Sequence, residues 1–149
     1  MHDRDAYIES LFPQLTSYNI KSPIDDNYNC IAFAADDNTK WWWPKDPYYW
    51  PTDIPEKEDL DSFIACYKLL GYKKCGLNSK FEKGYEKVAI FIDTNGTPTH
   101  VAKQDSDDKG LWKSKLGRYV DIEHSLEGIS GTSHQYSYGN VAVILKRKV

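Results

Sequence analysis

Asn29-Cys30 heads a short apolar run, Ile31-Ala32-Phe33-Ala34-Ala35, and follows the polar stretch Asp25-Asp26-Asn27-Tyr28. Asx side chains ahead of such a run accept hydrogen bonds from first-turn amides, so a helix is expected to begin here. A cysteine in that first turn sits at the positive end of the helix dipole, which favours thiolate over thiol. A thiolate nucleophile needs an imidazole to share its proton and a polar group to orient the ring. His100, near the head of Thr99-His100-Val101-Ala102-Lys103-Gln104, is the candidate base. Ser114, on the next expected strand, is one candidate for the third member. Gln104, which shares the parity of His100, is another. The amides around Asn29 and Cys30 offer an oxyanion hole. Such a set performs acyl transfer at an amide through a thioester, ending in hydrolysis, deamidation or transfer to another acceptor.

Each residue also has a plainer reading. A lone buried cysteine is most often a small hydrophobe. His100 could be a satisfied strand residue, and Ser114 alone carries little information. Cys66 falls on an expected helix and Cys75 in a turn, where both read as packing. His124 follows Asp121 and Glu123 and reads as a surface loop residue, although a second imidazole is the alternative. His2 and His134 are expected to lie in mobile segments. No Cys or His spacing suggests zinc, so neither metal nor cofactor is expected. Three cysteines cannot all pair within one chain, and a reducing compartment is the default.

The elements that must position these residues divide the chain. Helices are expected over Asp5 to Leu11, Asn29 to Ala35 and Glu56 to Leu70, the last with Gly71 as its stop. Strands are expected over Lys87 to Asp93, Thr99 to Gln104, Leu111 to Ser114, Tyr119 to Ile122 and Asn140 to Lys146. Thr94-Asn95-Gly96-Thr97 supplies a hairpin turn. Helices first and antiparallel strands after is an α+β layout.

At 149 residues the length suits one domain. A net charge of −3 points to neither nucleic acid nor an anionic membrane. The start, Met-His-Asp-Arg-Asp, lacks a signal-peptide layout, so a cytoplasmic location, or delivery as an effector without a classical signal, is expected. Aromatics are abundant, with 5 Trp, 11 Tyr and 5 Phe. Trp41, Trp42, Trp43, Tyr48, Tyr49 and Trp50 cluster in one proline-stiffened loop. It is expected to roof the space between the Cys30 helix and the sheet, with some rings as core and one or two at a cleft rim.

The segments Tyr28-Asn29-Cys30-Ile31-Ala32-Phe33-Ala34, Trp41-Trp42-Trp43-Pro44, Thr99 to Gln104, Trp112-Lys113-Ser114-Lys115-Leu116-Gly117 and Ile122-Glu123-His124 resemble one small uncharacterised bacterial family. The Asn-Cys helix start followed by a His-led strand is also similar to the NlpC/P60 and CHAP branch of papain-like cysteine hydrolases. That resemblance implies one papain-like domain over 1–149, with N-terminal helices packed on a C-terminal antiparallel sheet. It implies Cys30 as nucleophile and His100 as general base. In that branch the third residue stands on the strand after the histidine, where this chain has Lys113 or Ser114. The expected sites are therefore Cys30, His100 and Ser114 for catalysis, and Asn29, Trp43 and Gln104 for substrate. The expected function is a cysteine-dependent amide hydrolase or acyltransferase, as in a toxin or effector domain, acting on a protein, peptide or peptidoglycan-like amide. The alternative is an inactive binding module of the same fold, or an adaptor or immunity-type partner, using the aromatic loop.

Overall fold

In a computed structural model of the chain, the described residues are 8, 12, 15, 18–105, 110–116, 120–130 and 138–149. The helix expected over Asp5 to Leu11 falls almost wholly outside them, as do His2, His134 and Tyr119. Among the described residues, seven strands form an antiparallel sheet. They are β1 (Tyr18–Ile20), β2 (Lys73–Lys74), β3 (Tyr85–Ile92), β4 (Pro98–Gln104), β5 (Trp112–Lys115), β6 (Asp121–His124) and β7 (Asn140–Lys148), in the order β1-β6-β5-β4-β3-β7-β2. Among the described residues, two short helices, α1 (Cys30–Ala34) and α2 (Leu60–Leu69), and a 3-10 turn over Glu127–Ile129 accompany the sheet.

This overturns the expected papain-like α+β layout. The fold is mostly β: α1 has 5 residues and α2 has 10, too little to form a layer of packed helices. The expected helices are cut back at their ends: α1 stops at Ala34, just before Asp36 takes φ +64, and α2 starts only after its Asp59 cap, at Leu60 rather than Glu56. The segment between them, with Pro44, Pro47, Pro51 and Pro55, is the expected proline-stiffened loop.

The helices that do form begin at Asx caps. Asn29 accepts from Ala32 N and Asp59 from Ser62 N. The β3–β4 hairpin closes through Asp93, whose side chain accepts from the amides of Asn95 at 2.9 Å and Thr97 at 3.0 Å. Gly96 takes φ +82 in that turn, which only glycine adopts freely. β1 and β2 were not expected. Strands of three and two residues leave no alternating pattern to read.

Alternation along the central strands makes two cores, one on each face. Val88, Ile90, Val101, Val143 and Leu145 face α1, α2, Trp42 and Trp50. Ala89, Phe91, Ala102, Trp112, Ile122 and Ile144 face the other way and bury Phe12 and Ile129. Helix α1 lies over β4 and β5, and the Tyr67 hydroxyl on α2 donates to the Ile31 carbonyl at 2.8 Å. Cys30 thereby comes to rest against the sheet.

Candidate functional site

The site begins at Asn29. Its side-chain oxygen accepts from Ala32 N at 3.1 Å, which caps α1 at Cys30. The same oxygen accepts from Trp42 N at 3.2 Å, and the amide donates to Trp42 O at 2.7 Å. One buried side chain thus starts the helix and hangs the aromatic loop beside it. Trp42 and Trp50 are buried, and their ring N–H groups donate to Asp37 at 2.9 Å and to the Pro55 carbonyl at 3.0 Å. Phe63 of α2 packs against Trp43 and Trp50, with centroids at 5.6 and 5.4 Å. The remaining rings wall a cleft of about 310 Å³ lined by Asn29, Cys30, Trp41, Trp43, Tyr48, Thr99 and Tyr138.

Cys30 is 7% exposed and unpaired. Burial pushes its thiol up to about 11. The amides of Val101, Ile31 and Cys30 itself, with the Lys115 charge, oppose that rise without cancelling it. The resting sulfur is therefore protonated at neutral pH. Burial raises Cys66 to about 12 and raises Cys75 as well.

His100 is fully buried on β4, opposite Phe91 on β3. Its side chain shares the face of Phe91 and Ala102, away from α1. The ring meets Phe91 edge-on at 5.5 Å and stacks on Tyr138 at 4.0 Å. Its Nε2 lies 2.8 Å from Ser114 Oγ. The same oxygen lies 2.7 Å from His124 Nε2, and His124 Nδ1 lies 2.7 Å from the Ser125 carbonyl. Burial, and the neighbouring His124, hold His100 well below the usual imidazole range. Burial lowers His124 to about 4, against the pull of the Ser125 carbonyl. The structure thus brings His100 and Ser114 together and adds His124. It makes no hydrogen bond between His100 and Cys30. Tyr138 touches both settings, since it stacks on His100 and walls the Cys30 cleft.

Residues 19–146 match a family described as a domain of unknown function, DUF7689. The chain belongs to that family. The match takes in Cys30, His100, Ser114 and His124, and it shows no tie to papain-like or NlpC/P60 hydrolases. No curated protein and no solved structure matches the chain.

Elsewhere in this DUF7689 domain the expected residues divide. Asn29 and Trp43 line the cleft. Gln104 does not: it donates to the Ser79 carbonyl at 2.8 Å and lines a second cavity of about 640 Å³ with Lys83, Lys103 and Lys113. Four residues of strand put it about 13 Å from His100 along β4. Thr99, Lys115 and Tyr138 were not singled out, and His124, read chiefly as a surface loop residue, is instead buried on β6. For His124 the signal was present: Trp112-x-Ser114 and Ile122-x-His124 alternate alike on neighbouring strands, but the expected strand stopped at Ile122. No described group of three or more His, Cys, Asp and Glu is placed to hold a metal ion. No described helix is long and apolar enough to cross a membrane.

Proposed function

We propose that this chain performs thiol-dependent acyl transfer at an amide, with Cys30 as nucleophile and His100 as base. The observation that carries the reading is the state of the His100 ring. Ser114 occupies its Nε2, while its Nδ1 is buried with no hydrogen-bond partner among the described residues. A neutral imidazole held this way offers one lone pair with nothing competing for it. Cys30 opens the first turn of α1 into the aromatic cleft, and Tyr138 borders both groups.

In the reaction the Sγ proton passes to His100 Nδ1 and sulfur bonds to the carbonyl carbon. The C–N bond then breaks as the imidazolium returns its proton to the departing amine. Water adds to the thioester, giving a proton to Nδ1 that leaves with the thiol. The resting thiol is protonated and not bonded to His100, which lies on the other face of the sheet, so this reading requires the chain around Thr99 and Tyr138 to rearrange when substrate seats.

A second reading is a binding module that uses the cleft without chemistry. The raised Cys30 thiol and the orientation of His100 away from α1 favour it.

Treating the full chain with p-nitrophenyl acetate and with iodoacetamide, followed by peptide mass spectrometry, separates the two. The enzyme reading expects Cys30 to react ahead of Cys66 and Cys75, and to slow on the order of a hundredfold in His100→Asn. Slow, equal labelling of all three cysteines, or a Cys30 rate indifferent to His100, leaves the binding module.

A further inference from the structure

The buried polar chain behind His100 has a direction. The Ser125 carbonyl can only accept, so the His124 Nδ1 at 2.7 Å carries the ring proton. A neutral ring has one proton, so His124 Nε2 is bare and accepts the Ser114 hydroxyl at 2.7 Å. With its hydrogen used, Ser114 Oγ can only accept from His100 Nε2 at 2.8 Å. That places the His100 proton on Nε2 and leaves Nδ1 bare. A buried polar network with a structural role alone is expected to satisfy every member. This one ends on His100 Nδ1, which has no hydrogen-bond partner among the described residues.

We infer that His124 is a positioning residue: acting through the Ser114 hydroxyl, it fixes His100 in the tautomer whose Nδ1 is free to take a proton. His124 is not among the residues that line the cleft, and its hydrogen bonds run to Ser114 and Ser125. It works by withholding the Ser114 hydrogen from His100. Without the His124 ring, that hydrogen can turn to His100 Nε2 and drive the ring proton onto Nδ1, where it would block the base. The tautomer is a property of the network itself. Only its consequence for reactivity rests on the Cys30–His100 reading.

Long-range proton–nitrogen spectra of the 15N-labelled full chain test this directly. In the wild type, His100 is expected to show the Nε2–H tautomer and His124 the Nδ1–H tautomer. In His124→Phe, His100 is expected to lose its single tautomer and gain Nδ1–H. The reverse assignment in the wild type overturns the inference, even if the variant fails to fold. An unchanged His100 in a folded His124→Phe also overturns it. Acetylation of Cys30 by p-nitrophenyl acetate should fall about tenfold or more in that variant, as a base in the wrong tautomer requires. A shifted tautomer with an unchanged Cys30 rate upholds the positioning role and removes the Cys30–His100 reading instead.

Discussion

The Asn29 side chain takes both backbone polar groups of Trp42, accepting from its N–H and donating to its carbonyl. With the cap on Ala32, three buried hydrogen bonds converge on one amide. Asn29→Ala removes a cap worth about 1 kcal/mol and leaves buried groups unpaired at about 1–3 kcal/mol each. With two such groups on Trp42 the expected loss is roughly 3–7 kcal/mol in urea unfolding, with the slope unchanged. Asn29→Asp keeps the acceptor bonds but sets a buried carboxylate oxygen against the Trp42 carbonyl, so it should not restore wild-type stability. An alanine variant as stable as wild type would show that the loop is held some other way.

Much of this arrangement could be read from residues alone, and the reasons for the rest are specific. Asx caps and an Asn-Gly turn act over a few residues, so Asn29-Cys30 and the β3–β4 hairpin were visible. Parity along β4 groups His100 with Gln104, but parity carries no distance, and Gln104 lies about 13 Å further along the strand. Which face α1 would choose was not encoded locally. That choice follows from Val101 joining the core under the helix, and it set Cys30 and His100 on different faces. For His124 the alternation was legible, but only the pairing of β5 with β6 sets its ring against Ser114.

Gly139 is expected to be irreplaceable. It takes φ +88, and a β-carbon there would lie 1.9 Å from the Ile92 carbonyl oxygen. Ile92 is fixed in the sheet, so Gly139→Ala combines strain with a clash and should cost at least about 2 kcal/mol. Its neighbour Tyr138 should loosen its stack on His100, which the ring-current shifts of His100 would report. Gly71→Ala is the control. It has φ +99 but meets nothing nearer than 3.9 Å, so its cost should stay near 1 kcal/mol, roughly the strain alone. Equal losses in the two variants would contradict the contact.

Acid should destabilise the fold through the buried imidazoles. Burial holds His100 well below the usual range, with His124 adding to it, and burial lowers His124 to about 4. In the unfolded chain both titrate near about 6.5. Below that pH the unfolded state binds protons that the folded state refuses, so stability falls as pH drops from about 6.5 toward 4. Each histidine contributes a slope of about 1.4 kcal/mol per pH unit in that window. His124→Phe removes one of the two contributions. Its urea midpoint should therefore depend less on pH between about 7 and 5 than that of wild type. Parallel curves for the two proteins would show that His124 does not titrate on unfolding.

The aromatic loop should separate into rings that hold the fold and rings that meet a ligand. Trp50 is buried, packs on Phe63 and donates to Pro55, so Trp50→Ala should cost about 3–5 kcal/mol. Trp41 is half-buried on the cleft wall, with its ring 6.2 Å from Tyr48. Trp41→Ala should change stability by about 1 kcal/mol or less. Its effect should appear at Cys30 instead. In the wild type, N-benzyl iodoacetamide should alkylate Cys30 faster than iodoacetamide. A ring pair worth about 0.5–1.5 kcal/mol corresponds to roughly a two- to tenfold preference. Trp41→Ala should erase that preference while leaving the iodoacetamide rate alone. A wild type that treats both reagents equally would mean that these rings serve the core and take no part in recognition.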